Sequence, residues 1–359
     1  MVKDSELFFD LYAIPGMTEF RLKNLLKTFR TPTEIFAADR KSLVEIKGVD
    51  ESLADAILTY RRSEETADRI KQAQRLGVRA ISYLDKDFPA NLQGVAHMPP
   101  VLFIRGEITD SDQLAVAVVG TRSPSHYGAQ VAERLGKELA AAGVTVVSGL
   151  ARGVDTWAHQ GALRAKGRTI AVLGCGIDIC YPPENHRLSE EIIKSGALLS
   201  EFPLGTGPLP NNFPKRNRII SALSRMVVAV EAGERSGVLN TCSWAKEQKR
   251  SVFAVPGRIG DEKSFGTNRL IKEGAIIITA FDDLLQRLGV VGESKKTQVI
   301  EVSESDKLVL TTMREEPIHI DEICESTGIP IADLLTKLFQ LEVKGLVKQL
   351  PGKFFVRVV

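Results

Sequence analysis

Apolar positions along this chain change their period as the sequence proceeds. Over residues 1–80 they recur at helical spacing in short blocks. Phe20, Leu22, Leu25, Leu26 and Phe29 form one block, and Leu53, Ala54, Ile57 and Leu58 another. Residues 81–107 are expected to run as an extended connector, because Phe88-Pro89 and Met98-Pro99-Pro100 disfavour helix. From Leu114 to Leu288 the pattern alternates. Short continuous β-branched runs at 116–119, 144–147, 169–173, 197–199, 226–230, 252–255 and 276–278 read as strands buried on both faces. Helical periodicity lies between them, for example over 130–142 and 155–165. This alternation predicts an α/β, doubly wound, mostly parallel sheet over residues 108–289. A polar stretch at 292–298 reads as part of a linker spanning 290–304. Residues 305–359 carry helical patterns at 307–313, 320–325 and 331–344, followed by two apolar runs.

The turns refine the two ends. Ile14-Pro15-Gly16-Met17 and Ile46-Lys47-Gly48-Val49 each precede an amphipathic helix. The repeated unit resembles a helix-hairpin-helix (SAM-like) module, whose glycine turn lets backbone N–H groups approach a phosphate. Pro15 removes one such donor from the first turn. Near the other end, Pro351-Gly352 between apolar runs reads as the wing of a winged helix. Acidic and basic residues roughly cancel there, which leaves a protein-contact role and a structural role open.

Composition narrows the class. The 359 residues are 43% hydrophobic and 26% charged with a formal net charge of +2, so any nucleic-acid site must be a local patch. The four cysteines (Cys175, Cys180, Cys242 and Cys324) form no CxxC pair, which argues against zinc and a disulfide framework. The first residues lack the apolar run of a signal peptide, and no apolar run is long enough for a bilayer. The expected location is the cytoplasm.

Chemistry concentrates after the expected strands, where ligands of open parallel sheets collect. Gly120-Thr121-Arg122, Gly149-Leu150-Ala151-Arg152-Gly153, Gly174-Cys175-Gly176 and Gly233-Glu234-Arg235-Ser236-Gly237 offer glycines for close backbone approach, several with an arginine. Asn211 to Ile220 adds a basic segment with Phe213 amid Lys215, Arg216 and Arg218, which reads either as a DNA-facing loop or as a solvated helix N-terminus whose Phe plugs the core. Cations suit phosphates, and a ring suits a stacked base. Neither glycine cluster completes GxGxxG, and GxxxxGK[ST] is absent, so a dinucleotide site and a P-loop are both disfavoured. Asp155 and His159 at i, i+4, with Glu201 and Glu231, are the residues a hydrolytic reading would use. A helix cap for Asp155 and a hydrogen bond at the sheet rim for His159 are the expected roles instead.

The motifs form a series. Ser148-Gly149-Leu150-Ala151-Arg152-Gly153-Val154-Asp155-Thr156 with Ala158-His159 comes first, then Gly174-x-Gly176-x-Asp178-x-x-Tyr181-Pro182-x-x-Asn185. Ser200-Glu201-x-Pro203, Phe213-Pro214-x-Arg216-Asn217-Arg218-Ile219-Ile220, Glu231-Ala232, Ser236-Gly237 and Ala254-Val255-Pro256-Gly257 follow. In this order the series resembles the bacterial DNA-processing protein A family (DprA, also called Smf). The resemblance implies an extended Rossmann-like domain between helical and winged-helix domains. It implies a protein without catalytic residues, cofactor, metal or membrane contact. Such a protein binds single-stranded DNA without sequence preference, forms a homodimer and helps load the RecA recombinase during natural transformation and homologous recombination. Single-strand-binding protein is a further candidate partner.

Carried over by motif, Arg122 is the principal phosphate contact, and Gly149 and Arg152 shape the adjoining rim. Phe213 stacks on a base while Lys215, Arg216 and Arg218 hold the backbone. Asn217 braces the segment, and Arg235 and Gly237 complete the nucleic-acid site. Leu270, Ile271 and Ile277 are the candidate dimer face. Four engaged cations would give a salt slope near −3, at about −0.7 per contact. Two departures stand out: Pro183-Glu184 where some members have a lysine after Tyr-Pro, and the amide of Asn240. A runner-up reading is a nucleotide-processing enzyme like the cytokinin-activating phosphoribohydrolases. Of their Pro-Gly-Gly-x-Gly-Thr-x-x-Glu pattern the chain offers only residues 231–237.

Overall fold

The computed structural model describes residues 4–290, 303–313 and 316–357. The chain divides into two compact units, Met1–Leu288 and Gly289–Val359. The expected linker stretch 292–298 lies outside the described residues.

The first unit begins with the helices Asp4–Ala13, Glu19–Phe29, Pro32–Ala37, Arg40–Val44, Glu51–Leu58 and Glu64–Leu76. Thr18, Thr31, Asp39, Asp50 and Ser63 start five of them by accepting a bond from a first-turn N–H. Arg21 ties the two glycine turns together, donating to the Gly16 carbonyl at 2.8 Å and to Asp50 at 2.9 Å. Gly48 has φ +93°, and a Cβ there would lie 2.9 Å from Phe20 Cε1. The turn expected to approach a phosphate is thus roofed by an aromatic ring of the same chain.

Nine strands follow: β1 (Val78–Ser82), β2 (Val101–Gly106), β3 (Ala115–Val119), β4 (Thr145–Ser148), β5 (Thr169–Val172), β6 (Ala197–Ser200), β7 (Met226–Ala229), β8 (Ser251–Ala254) and β9 (Ile276–Ile277). They form one sheet in the order β1-β2-β6-β5-β4-β3-β7-β8-β9. β3 to β9 are parallel, as their continuous apolar runs predict. The expected connector is a finding of its own. β2 pairs antiparallel with β6, and β1 with β2, so residues 78–106, which include the end of the expected helical region, extend the sheet rather than merely leading to it.

Alternation along the strands feeds two cores. Ala117, Val119, Ile170, Val172 and Leu199 pack with Ile219, Ile220, Val238 and Cys242 of the helices Asn212–Leu223 and Gly237–Glu247. On the other side Phe103, Ala171 and Leu198 pack with Ile192 and with Phe8, Leu22 and Leu26 of the N-terminal helices. Phe9 and Tyr12 set their rings 5.3 and 5.8 Å from that of Phe103. The helical region and the sheet therefore share one apolar interior.

The second unit has the helices Glu304–Thr312, Ile320–Thr327 and Ile331–Val343 with strands β10 (Ile318–His319), β11 (Val347–Leu350) and β12 (Phe354–Arg357), ordered β10-β12-β11. Val309, Ile323, Leu334, Leu338, Leu341 and Phe355 form its core. This is the expected winged helix. The outer face of Ile331–Val343 exposes Ile331, Leu335, Phe339 and Val343, where a phosphate-binding helix would carry cations.

Candidate nucleic-acid interface

The parallel strands aim their carboxyl ends at one rim. Because β4, β3 and β7 are neighbours, the turns bearing Arg152, Arg122 and Arg235 stand side by side. The reversal of strand order falls between β3 and β7, so the rim lies where an open sheet parts to admit a ligand. Arg122, Arg152 and Arg235 are all exposed.

The basic segment is helical from Asn212, which matches its reading as a helix N-terminus and not as a loop. Pro214 falls in the first turn, where its missing N–H leaves no bond unmade. Phe213 is half-buried and rests on the turn after β5, since a Cβ at Gly174 would lie 2.7 Å from its Cδ1. The Tyr181 ring sits 5.6 Å from it at 44°, and the Arg122 guanidinium lies 5.5 Å from its centroid. An aromatic seat with a cation over its ring is a suitable receptor for a base and its phosphate.

The other cations of this segment differ sharply in burial, and two of them face inward. Arg216 is 4% exposed. Its Nη1 donates to the carbonyls of Gly149 (2.8 Å) and Val172, and its Nε to Asn217 Oδ1 at 3.2 Å. Burial lowers its pKa to about 10. It binds the carbonyl ends of β4 and β5, not a solvent-side phosphate. Gly149 is buried against this guanidinium, and a Cβ there would come within 2.5 Å of Arg216 Nη2. Arg218 is likewise 4% exposed and forms a bidentate pair with the buried Glu201, at 3.1 and 2.7 Å. Both guanidinium groups are thus turned into the protein, each spent on internal acceptors.

Lys215 is exposed, 2.6 Å from Glu19 and 3.1 Å from Glu201. Asn217 is half-buried and bridges to Asn240 Oδ1 (3.3 Å) and the Gly237 carbonyl (3.5 Å), the expected brace. Asn240 thus serves that contact. Gly237 is exposed at the start of its helix, with open space where a Cβ would point. Arg152 forms an ion pair with Glu184, both exposed, and this holds the Glu184 carboxyl below its usual range. The departure after Tyr181-Pro182 therefore replaces a cation and also occupies one.

Of the dimer candidates, Leu270 is the least accessible. It is 3% exposed and packs within the sheet core. Ile271 is half-buried against the same core, while Ile277 is 43% exposed on the edge strand β9.

The carboxylates of the hydrolytic reading are engaged elsewhere. Asp155 is buried and accepts from the N–H groups of Gly149 (3.0 Å) and Ala151 (3.3 Å). Glu231 accepts from the Ser125 N–H at 2.8 Å, fastening the helix His126–Ala141. His159 is fully buried. Thr169 Oγ1 donates to the Val146 carbonyl at 2.8 Å, so His159 Nδ1 donates to Thr169 Oγ1 at 2.6 Å. Its Nε2 has no partner, and burial, then the charge of Arg216, pushes its pKa down to about 3.

A pH effect follows from His159. The folded pKa lies below the ordinary 6.5, so the unfolded chain takes up the proton first. Its contribution is intact above pH 6.5 and declines as pH falls toward 3. By pH 5 about 2 kcal/mol of stability is expected to be lost through this group. Urea unfolding at pH 7.5 and 5.0 checks it, because His159→Gln should flatten that part of the decline. Equal declines in both proteins would contradict the assignment. Among the described residues no group of three or more His, Cys, Asp or Glu is placed to hold a metal ion, and no helix is long and apolar enough to cross a membrane.

Tyr181 stands within a quoted motif with no role read for it there, and Glu19 carries no local signal.

Comparison with known proteins agrees with this architecture. The family model described as DNA recombination-mediator protein A matches residues 79–289. A DprA winged helix domain model matches 293–353, and a SAM-like helix-hairpin-helix tandem matches 8–60. Protein Smf of Synechocystis is 33% identical over 96% of each chain. Protein Smf of Escherichia coli is 39% identical over 74% of each. The crystal structure of DprA from Streptococcus pneumoniae superposes with a TM-score of 0.68 at 33% identity, covering 79% of this chain and 98% of that one. A DprA structure from Helicobacter pylori, described for its single-stranded DNA binding mode, gives 0.53 at 32% identity over 59% and 95%. With its helical, sheet and winged-helix parts in the same order as these models, the chain belongs to the DNA-processing protein A (DprA/Smf) family.

Proposed function

We propose that this chain binds single-stranded DNA along the carboxyl rim of its sheet and acts as a non-enzymatic recombination mediator. In that role it helps load RecA onto the strand during DNA uptake and homologous recombination, in the cytoplasm. The observation that carries the reading is the seat of Phe213: a half-buried ring fixed on Gly174 beside Tyr181, with the Arg122 guanidinium at its face. A ring already held in place loses little freedom when a base stacks on it. A stacking platform is indifferent to base identity. The Helicobacter pylori relative, described for its single-stranded DNA binding mode, supports the same ligand.

Arg122 and Arg235 are the foremost phosphate contacts in this reading, with Arg152 and Lys215 contributing from behind their carboxylate partners. Self-association uses the edge strand β9, where Ile277 is exposed and Ile271 lies behind it. The sheet domain is taken as residues 108–289, with the strand pair of residues 78–106 added to it. RecA and single-strand-binding protein remain proposed partners.

Fluorescence anisotropy with labelled oligothymidine and a matched duplex, across a salt series, tests the reading. Single-stranded DNA should bind tightly and lose affinity with salt. Arg122→Ala should weaken it and reduce the slope of log K against log salt by about 0.7. A preference for duplex, or no binding at low salt, would overturn it.

A further inference from the structure

Glu19 opens the helix Glu19–Phe29, 196 positions before Lys215, yet the two side chains meet. Glu19 Oε1 accepts from Lys215 Nζ at 2.6 Å, and its Oε2 lies 3.7 Å from Arg218 Nη2. Beneath them Glu201, with its side chain fully buried, takes both arms of Arg218 and also Lys215 at 3.1 Å. The four charges divide unequally. Arg218 and Glu201 are buried and neutralise each other. Lys215 and Glu19 are the accessible half, with side chains 43% and 29% exposed.

The buried pair is therefore complete without Glu19. An ammonium has three donors, so Lys215 can keep its contact with Glu201 and still have donors for a second anion. A carboxylate and a phosphate oxygen offer that ammonium the same kind of charged acceptor. Lys215 also lies 5.3 Å from the centroid of the Phe202 ring, which confines it near this position whichever anion it meets.

We infer that Glu19 is an intramolecular competitor for a nucleic-acid phosphate at Lys215, so that the N-terminal helical region sets the affinity of the rim. The inference rests on the reading that this rim binds single-stranded DNA. It assigns the helical region a part in binding that its covered Gly48 turn does not supply.

The test is an oligothymidine anisotropy series over salt on four full-length proteins: wild type, Glu19→Gln, Lys215→Met and the double variant. Glutamine keeps the length of the side chain and the start of the helix while removing the charge. Glu19→Gln should bind about two- to fivefold more tightly at low salt, the scale of a released exposed ion pair. Its salt slope should steepen by about 0.7, one further phosphate contact. In the Lys215→Met background the same change should alter neither quantity. If Glu19→Gln matches wild type, or if its effect persists without Lys215, the competition does not exist. Wild type failing to bind at all would instead sink the single-strand reading beneath it. Should Lys215→Met not fold, Lys215→Gln replaces it with the same expectation.

Discussion

Arg218→Ala is expected to lower the stability of the chain by about 3–5 kcal/mol, the usual result of removing one partner from a buried ion pair. The guanidinium and the Glu201 carboxylate meet through two bonds with almost no solvent at either side chain. Truncation leaves Glu201 with Lys215 as its remaining cationic contact within hydrogen-bonding distance. Burial already pushes the Glu201 carboxyl up, and Arg218 is the largest influence holding it down. Losing that influence raises the folded pKa further. A carboxyl raised in the folded state is least harmful when protonated, so the deficit should shrink toward pH 5 and grow toward pH 8. Urea unfolding at the two values measures it. The paired replacement Arg218→Met with Glu201→Met should recover most of the loss, since both charges leave together. If Arg218→Ala keeps its stability and instead flattens the salt dependence of DNA binding by about 0.7, the guanidinium holds phosphate after all.

Phe213→Ala should act on the other axis. It removes the ring on which a base stacks, about 1–3 kcal/mol, or roughly 5- to 150-fold in affinity. The salt slope should barely change, because no cation is deleted. The Arg122 guanidinium loses the face it lies against, so part of the loss is positional. Phe213→Trp should retain most of the affinity. Gly174→Ala offers an independent route: its Cβ would press on Cδ1 at 2.7 Å and displace the ring without removing it. An affinity unchanged in both Phe213→Ala and Gly174→Ala would place the stacking surface elsewhere.

The contrast between these two residues shows what the sequence could and could not disclose. Strands β3 to β8 were legible because each is a largely apolar run, the mark of a strand covered on both faces, whereas the edge strand β9 carries the same apolar run with Ile277 exposed. β1 and β2 were hidden by Pro89, Pro99 and Pro100, which lie between them and invite a reading as connector. In the basic segment, Pro214 leaves a loop and a helix N-terminus both open, and with them the direction of each side chain. Once the segment is helical, Arg216 shares a face with Ile219, Ile220 and Leu223 at i+3, i+4 and i+7, so it must point inward. That signal was present and unused. No such pattern exists for Arg218, whose partner Glu201 follows a different strand, or for Lys215, whose partner Glu19 sits in another region altogether. Phe213 was found from composition alone, but its seat on Gly174 required the third dimension.

The shared interior beneath β2 and β6 bears on how the first unit comes apart. Phe8, Leu22 and Leu26 pack in the same interior as Phe103 and Leu198, so the N-terminal helices are a wall of the sheet's core and not a module hung from it. A wall of this kind has no melting transition of its own to offer. Peeling it away bares the side chains of β2 and β6 to water, and that exposure adds to the work of opening the helices. Any local event that loosens one side is then resisted by the other, and the two behave as a single cooperative unit in which neither half holds a private reserve of stability.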